Sequence, residues 1–525
     1  MTGNITSEID VDQSELVGTE PVSVKQPEVS YRQWRGLFLD IQQEHDFKPL
    51  TIEGDLPADI SGIFYQNGPG LFSAQGTQYG HLFDGDGLIR SIRIKDGKAQ
   101  GAVKLVQSTG LQEERQAGKI LFSGLGTAVV ADTRVGRWKS ILTMLRKGMK
   151  GEFAGKNLAN TSVLIWQNRL LALLEATKPT EMNPDTLDTI GETSLGKAVQ
   201  GAFSAHPHWV SERQTGFNFG VNQRGADTFL DVVELPKNGP CKAFTSIKLD
   251  RRPVVMVHDN IATANHLVFF IPPVHFPLKN LWNIIKGSAI LPQFEWKESL
   301  GTEVIIIPID DPTKVTRFKT KPFFCTHFAN AYEENGKLIV DYVHSPDLFV
   351  FDYIGSSHMG YSKKFHQDVF DKMKPETLVL RRATIDVDRK DIQFRTLSNK
   401  VCEFPKINPS LQGSRYNYTY MLHQLDTFEP TGYTLTHLLK LNVQTGESTI
   451  VGLGSEQFPS EPVFIRKKNA KSEDEGYLLT ITYDGNKHLS YLAVLDAQHL
   501  KQGPIAKIHF GQALPIGFHG AWRPL

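Results

Sequence analysis

The chain has 525 residues, with 57 basic and 57 acidic side chains and a formal net charge of zero. This balance disfavours nucleic acid as a partner, because phosphate backbones are bound by strongly basic surfaces. The three cysteines, Cys241, Cys325 and Cys402, are too few and too scattered for a disulfide framework or a zinc ribbon. Such sparse cysteine use fits a reducing, cytoplasmic compartment.

Residues 1–30 are polar and lean acidic, without the basic start and apolar run of a secretory signal. A disordered leader is predicted there. No uninterrupted apolar stretch of about 18 residues occurs, which excludes a membrane-spanning helix. The protein is therefore expected to be soluble or to lie on a membrane surface.

From about Leu56 onward, short β-rich runs alternate with tight turns. Asp96-Gly97, Asn335-Gly336 and Asp484-Gly485 are examples of these turns. Such pairs supply the positive φ angles that two-residue hairpins need. Hairpins repeated along most of the chain predict an all-β closed array such as a propeller. No strict sequence repeat marks the blade boundaries.

Two segments interrupt this pattern. Residues 134–152 place Trp138, Leu145 and Met149 on one helical face and basic side chains mostly elsewhere, which predicts a basic amphipathic helix. Residues 267–296 are apolar and interrupted by prolines. Both are interpreted as insertions into the β structure. The second is either a lid that packs on itself or a patch that dips into a membrane.

Four histidines lie in apolar, strand-like settings: His206, His258, His327 and His519. Their separations are large and irregular, so no two can share a helix face as the histidines of an H-E-x-x-H site do. For any one of them taken alone, a hydrogen-bonded core residue is the more frequent outcome. A shared metal site requires a radial fold that returns several strand ends to one axis.

Six motifs follow one another in the order seen in the carotenoid cleavage oxygenase family. They are Phe64-Tyr65-Gln66-Asn67-Gly68-Pro69-Gly70, His81-Leu82-Phe83-Asp84-Gly85-Asp86-Gly87, Ala205-His206-Pro207, Cys402-Glu403-Phe404-Pro405-Lys406-Ile407-Asn408-Pro409, Ser460-Glu461-Pro462-Val463-Phe464 and Gly517-Phe518-His519-Gly520. The chain resembles this family from about residue 34 to residue 525.

The resemblance implies an all-β fold, a seven-bladed β-propeller over residues 31–525, with a helical and loop dome covering the iron-bearing face. It implies a ferrous ion, Fe(2+), on the propeller axis with His206, His258, His327 and His519 as ligands. Neutral imidazoles suit Fe(2+), and four of them leave two octahedral positions for dioxygen and substrate.

The family backs three of its ligand histidines with glutamates, which fix the tautomer and orientation of each ring. The matching residues here are Glu175, Glu403 and Glu461, expected beside His258, His327 and His519 respectively. Ala176 stands where glycine is common in the family.

Two further histidines lie beside the family motifs. His81 begins an Asp-Gly-Asp-Gly turn, and His208 follows a ligand position by two residues. Both are expected to be structural.

The resemblance implies a dioxygenase that cleaves one carbon–carbon double bond of an apolar conjugated polyene, a carotenoid or apocarotenoid, into two carbonyl products. Aromatic walls stabilise cationic charge that develops on such a substrate. The basic helix and the apolar dome segment favour peripheral contact with a membrane, from which a polyene is extracted. Oligomeric state stays open.

Stilbene cleavage is the alternative within the family, where a tyrosine and a lysine engage the substrate's phenol. Leu105-Val106-Gln107-Ser108, where many relatives carry an aromatic residue before Val-Arg-Thr, disfavours it. Isomerohydrolysis of retinyl esters is less favoured than either. A metal-free binding scaffold is the alternative from another class, disfavoured by the four histidines and three glutamates together. The candidates for a phenol-binding lysine are Lys139, Lys147, Lys150 and Lys156.

Overall fold

The structure is a computed structural model that describes residues 33–129, 155–225, 227–250, 256–355, 368, 371–425 and 435–525. The predicted leader and the predicted amphipathic helix at 134–152 lie outside these residues. Antiparallel β-sheets dominate the described chain, which confirms the prediction of a mostly β protein. Within the described ranges, no helix has the length and apolar character needed to cross a bilayer.

The first sheet joins the two ends of the described chain. In spatial order it contains β1 (His45–Pro49), β7 (Lys98–Leu105), β6 (Leu88–Lys95), β3 (Gly62–Gln66) and β34 (Gly520–Pro524). The last strand, β34, pairs antiparallel with β3 from Gly62 opposite Pro524 to Gln66 opposite Gly520. This pairing places the residue that precedes β34, His519, beside Asn67, which directly follows β3.

Three four-stranded sheets follow in the chain. The first holds β11 (Thr189–Glu192), β10 (Thr180–Met182), β9 (Arg169–Leu173) and β8 (Ser162–Trp166). The second holds β12 (His208–Val210), β13 (Thr215–Arg224), β14 (Asp227–Pro236) and β15 (Lys242–Leu249). The third holds β16 (Ile261–Ala262), β17 (His266–Ile271), β20 (Thr302–Pro308) and β21 (Thr316–Thr320).

A seven-stranded sheet comes next, in the order β22 (Phe324–Glu334), β23 (Lys337–Ser345), β24 (Val379–Asp386), β25 (Asp391–Lys406), β26 (Tyr418–His423), β27 (His437–Asn442) and β28 (Ser448–Val451). The long strand β25 divides it, because residues up to Val401 pair with β24 whereas Cys402 to Lys406 pair with β26.

The last large sheet contains β2 (Thr51–Gly54), β33 (Pro504–His509), β32 (Leu489–Asp496), β31 (Gly476–Asp484) and β29 (Gln457–Pro459), with β30 (Val463–Arg466) also paired to β31. Two small ribbons pair β4 (Ser73–Ala74) with β5 (Thr77–Gln78) and β18 (Val274–His275) with β19 (Glu295–Trp296). The α-helices of the described residues are α1 (Thr109–Ala117), α2 (Leu281–Ile285) and α3 (Phe349–Gly355).

Hydrophobic side chains fill the space between neighbouring sheets. Phe219 and Leu230 of one four-stranded sheet pack against Phe269 and Ile305 of the next.

The first residues of the apolar segment at 267–296 do not form the predicted insertion. Its first residues, up to Ile271, form a buried strand between β16 and β20 rather than a lid. A strand covered on both faces is apolar throughout, which a lid-like sequence resembles.

Candidate metal centre

Four histidine side chains converge at one point of the interior. Ring centroids lie 4.5 Å apart for His206 and His258, 4.9 Å for His258 and His327, and 4.8 Å for His327 and His519. The Nε2 atoms of His258 and His327 are 3.2 Å apart. None of the four side chains is more than 12% exposed. The structure thus brings all four candidate ligands together.

Each histidine belongs to an edge strand or to the residues that lead into one. His206 precedes β12, His258 precedes β16, His519 precedes β34, and His327 lies within β22. The register of β22 against β23 shifts between Cys325 and Phe328. A β-bulge of this kind re-aims a side chain, so His327 projects from the middle of its strand toward the others.

Three glutamates lie against the Nδ1 atoms of three of these histidines. A carboxylate in this position orients the ring and leaves Nε2 free to bind a cation. The distances are 2.6 Å from His327 to Glu403, 2.7 Å from His519 to Glu461 and 2.5 Å from His258 to Glu175. The last contact has ion-pair distance but not the angle of a straight hydrogen bond.

Local backbone geometry positions two of the carboxylates. The Glu403 Oε2 atom accepts the backbone N–H of Phe404 at 2.6 Å, and the φ of Phe404 is +57°. A bulky residue rarely adopts this left-handed conformation. The conformation occurs at the bulge in β25, and it stacks the Phe404 ring on His327 at a centroid distance of 5.7 Å. Glu461 Oε2 accepts the backbone N–H of Gly520 at 2.7 Å.

Burial controls the charge of the cluster. It lowers the pKa of His206 well below the ordinary value, and the neighbouring imidazoles add to the effect. Burial also lowers the pKa of His519, although Glu461 opposes this shift. Burial by itself opposes a charged His258, yet the Glu175 carboxylate raises its pKa. His206 and His519 are consequently neutral near pH 7, with lone pairs available to a cation.

The donor set fits a transition metal ion. The Nε2 atom of His206 is buried and has no hydrogen-bond partner. One ring nitrogen from each of His206, His327 and His519 lies within 4.8 Å of the other two. Glu175, His206 and His258 form a second group with the same spacing, in which Glu175 also lies against His258 Nδ1. Imidazole nitrogens suit iron, copper, nickel or zinc rather than magnesium or calcium.

A mostly apolar cavity of about 250 Å³ borders the histidines. Aromatic side chains form much of its wall: Phe83, Phe122, Phe324, Phe351, Phe404 and Phe518. Its roof includes residues 122–125, Thr127 and Ile290. The roof segments are bonded to each other, since the N–H of Ile290 donates to Gly124 O at 3.0 Å.

The Asp84 carboxylate anchors the loop that lines the cavity at residues 122–127, the roof loop. One carboxylate oxygen accepts the backbone N–H of Leu125 at 2.6 Å, and the other accepts those of Gly126 and Thr127 at 3.0 and 2.8 Å. A Cβ atom on Gly124 would meet Asp84 Oδ1 at 2.3 Å, so this close approach requires glycine.

One wall of the cavity is polar. Lys156 is buried and its Nζ lies 2.6 Å from Asp86, 2.7 Å from Glu114 and 3.3 Å from the Tyr79 hydroxyl. The other candidate lysines, Lys139, Lys147 and Lys150, lie outside the described residues. Leu105, in β7, packs in the hydrophobic core and does not line the described cavity. Leu105 therefore gives no support against a phenolic substrate, because that side chain faces the core.

His81 and His208, which lie beside the family motifs, have structural partners. His81 Nδ1 accepts the N–H of Phe83, and its Nε2 lies 3.1 Å from Phe351 O. His208 Nε2 lies 2.9 Å from the buried carboxylate of Asp259. Sequence analysis did not single out Asp259, although it directly follows His258.

Lys406 is a further residue that the sequence analysis missed. Its Nζ lies 3.2 Å from the Glu461 carboxylate. Burial alone would raise the pKa of Glu461, but Lys406 and His519 lower it. Nothing in the local sequence indicates this contact, because it joins residues 55 positions apart, one at the end of β25 and the other between β29 and β30.

A buried cluster of four imidazoles among antiparallel sheets defines a candidate mononuclear metalloprotein. The chain belongs to the retinal pigment epithelial membrane protein family, the carotenoid cleavage oxygenases, whose profile matches residues 38–524. It is 29% identical to apocarotenoid-15,15'-oxygenase of Synechocystis sp. over 97% of this chain and 99% of that protein. It is 26% identical to lignostilbene-alpha,beta-dioxygenase isozyme III of Sphingomonas paucimobilis over 93% of this chain and 96% of that protein.

Solved structures resemble it as well. Cobalt-substituted Synechocystis apocarotenoid oxygenase matches with a TM-score of 0.78 and 27% identity, covering 94% of this chain and 98% of that one.

Proposed function

We propose that this protein is a non-haem Fe(2+) dioxygenase that cleaves a carbon–carbon double bond of a carotenoid or apocarotenoid to carbonyl products. The observation that carries the proposal is the four-histidine cluster, in which three rings contact carboxylates and which borders an apolar cavity. Family membership supports the same reaction class.

In this proposal His206, His258, His327 and His519 hold the iron, and Glu175, Glu403 and Glu461 orient three of the rings. Bound Fe(2+) would supply dioxygen activation next to the cavity. The protein's own residues bind the substrate, keep water away from it and hold the imidazoles in the Nδ1–H tautomer. The cobalt form of the Synechocystis relative supports a transition-metal site in this fold.

The proposed architecture is a seven-bladed propeller, residues 31–525, with a dome over the metal. Dividing the seven-stranded sheet at β25 gives two antiparallel groups, and the other five large sheets bring the number in the described residues to seven. The pairing of β3 with β34 would close the ring. The roof loop and α2 belong to the proposed dome.

An apolar substrate is supported by the aromatic walls of the cavity. Phe404 and Phe518 lie beside the histidines, and Phe83 and Phe351 extend the apolar wall away from them. Aromatic faces stabilise positive charge on a conjugated chain by cation–π attraction. The Synechocystis relative, named as an apocarotenoid oxygenase, agrees with this substrate class.

A phenolic stilbene is the second candidate, favoured by one specific observation. Tyr79 and Lys156 both line the cavity and lie 3.3 Å apart, and the Sphingomonas relative is named as a lignostilbene dioxygenase. Against it, the Lys156 ammonium already contacts Asp86 and Glu114, and the Tyr79 hydroxyl donates to Asp86 at 2.9 Å.

Tyr79→Phe separates the two candidates. For a polyene substrate, removing the hydroxyl leaves kcat/KM nearly unchanged, because an apolar chain makes no hydrogen bond to it. For a 4-hydroxystilbene bound by Tyr79, kcat/KM falls by about tenfold. Both substrates should be assayed with the same iron-loaded preparation. A wild-type protein that cleaves only the stilbene, with the expected loss in Tyr79→Phe, favours the second candidate.

Contact with a membrane surface is proposed for the dome. Helix α2 exposes Leu281 and Trp282 by 46% and 55%, and Leu121 is 39% exposed. The Ser123 hydroxyl donates to Gly287 O at 3.1 Å, which places the segment after Leu121 beside the end of α2. Large apolar side chains exposed together mark an interaction site. An apolar substrate dissolved in lipid would reach the cavity from this side.

A further inference from the structure

We infer that Asp259 is a positioning residue that sets the relative placement of three of the four proposed ligand segments, with His208 as its partner. The inference rests on the proposed iron site. It assigns a role to a carboxylate that does not touch the histidine ligands' ring nitrogens.

Asp259 bonds to all three segments. Its Oδ1 atom lies 2.9 Å from Nε2 of His208, two residues beyond His206. The same oxygen accepts the backbone N–H of Asn260 at 2.7 Å, which fixes the backbone between His258 and β16. Its Oδ2 atom accepts the backbone N–H of Phe328 at 2.8 Å, directly after His327.

Distance along the chain makes this connection informative. His208 and Phe328 are 51 and 69 residues from Asp259, and they belong to different sheets. A second link supports the same junction: the Ser204 hydroxyl accepts the N–H of His206 at 3.1 Å and lies 3.5 Å from His258 O. The ligand segments are thus bonded to one another as well as to their own sheets.

The bulge in β22 explains why such a link is needed. Phe328 is paired with Tyr342 between two register shifts of the ladder with β23, and its backbone N–H donates to Asp259 Oδ2. A buried N–H without a partner is costly. The carboxylate therefore stabilises the irregular backbone that orients His327, and it links that backbone to the residues that follow His258.

Asp259→Asn tests the inference because an amide has only one oxygen. Either the Phe328 N–H or the pair formed by His208 and the Asn260 N–H then faces an NH₂ group, so at least one segment is released. The probe is Co(2+), whose visible absorption reports ligand geometry without turnover, combined with affinity from chelator competition. We expect Co(2+) affinity to fall about 10-fold or more and the visible bands to change.

Asp341→Asn is the matched control. Asp341 is also a fully buried carboxylate with three bonds, to the Arg382 guanidinium twice and to the Tyr416 hydroxyl, each at 2.7 Å. Its loss should destabilise folding but leave the Co(2+) affinity and spectrum unchanged. An equal spectral change in both variants would mean that general destabilisation is responsible, and would overturn the inference.

Variants of His208 give an independent test if Asp259→Asn does not fold. His208→Gln retains a side-chain N–H donor and should keep the wild-type spectrum, whereas His208→Leu should change the spectrum in the same sense as Asp259→Asn. Wild-type spectra and affinities in His208→Leu, or in Asp259→Asn where it folds, would contradict the role. A wild-type protein that binds neither Co(2+) nor Fe(2+) instead refutes the proposed iron site itself.

Discussion

At the scale of single residues, carboxylates hold the imidazole rings in place. The Oε2 atom of Glu403 contacts both His327 Nδ1 and the backbone N–H of Phe404. Glu461 contacts His519 Nδ1 with one oxygen and the backbone N–H of Gly520 with the other. Burying a carboxylate costs free energy unless it is paired and hydrogen-bonded. At least one oxygen of each carboxylate has such partners, so the protein itself holds the rings of His327 and His519.

Replacing one proposed ligand should remove the metal. We expect His258→Ala or His519→Ala to lose most bound iron and all measurable turnover, because three imidazoles form an incomplete site. Glu403→Gln should be milder and weaken metal affinity or activity by about 10- to 100-fold. Elemental analysis and turnover assays on purified variants check both results. Wild-type iron content in His519→Ala would exclude that residue as a ligand.

His81 should make folding sensitive to acid. Burial lowers its pKa to about 4, from an ordinary value of 6.5. The unfolded chain binds a proton on this histidine as the pH falls through 6.5, and the folded protein does so only near pH 4. Stability therefore decreases as the pH falls across this window, by about 2 kcal/mol between pH 7 and pH 5.

His81→Asn checks this expectation, since an asparagine side chain can still accept the Phe83 N–H. Denaturant unfolding at pH 7 and pH 5 should show a smaller loss of stability on acidification in His81→Asn than in the wild type. The same loss in both proteins would show that His81 does not cause it.

At the scale of elements, the edge strands and the roof loop set the shape of the site. Four edge-strand segments supply the histidines, and the roof loop is joined to residues 287–291 by hydrogen bonds. Within the loop, the backbone N–H groups of Leu125, Gly126 and Thr127 all donate to the Asp84 carboxylate. Asp84 therefore adds a second anchor to the hydrogen bonds with residues 287–291.

Asp84→Asn should loosen the roof loop while leaving the histidine cluster in place. One of the two carboxylate oxygens is replaced by an NH₂ group that cannot accept a backbone N–H. We expect a loss of about 1–3 kcal/mol in unfolding free energy and faster amide hydrogen exchange at residues 124–127. Asp185→Asn, at an exposed ion pair with Arg93, is the control and should have little effect. Unchanged exchange in Asp84→Asn would contradict the role given to this carboxylate.

At the scale of the whole molecule, the exposed apolar side chains of α2 lie near a residue that lines the apolar cavity. Leu281 and Trp282 are exposed on α2, and Ile290, a few residues later, lines the cavity. A surface that dips into lipid close to the cavity would shorten the path of a lipid-dissolved substrate.

Trp282→Glu should weaken binding to lipid vesicles, because it places a charge where an apolar side chain would enter the interface. Co-sedimentation with phosphatidylcholine and phosphatidylserine vesicles measures this. Ile190→Glu is a matched control, since Ile190 is 66% exposed on β11 and does not belong to α2. Equal binding by both variants would exclude α2 as the contact surface.

The sequence predicts part of this structure for clear physical reasons. Turn pairs such as Asn335-Gly336, where both residues have positive φ, indicate hairpins locally, and the mostly β class follows from them. The apolar run from Leu267 to Ile271 misleads because a lid and a doubly covered strand have the same composition. The contacts of Lys156 with Asp86 and of Asp259 with Phe328 join sites about 70 residues apart, so they depend on how sheets stack.

Product analysis of the iron-loaded protein tests the central proposal most directly. The purified protein is incubated with dioxygen and a panel of carotenoids, apocarotenals and 4-hydroxystilbenes, and the products are identified by chromatography and mass spectrometry. We expect two carbonyl products from one double bond of a carotenoid or apocarotenal, and none from His519→Ala. A protein that holds one iron per chain and leaves every member of the panel intact would contradict the proposed function.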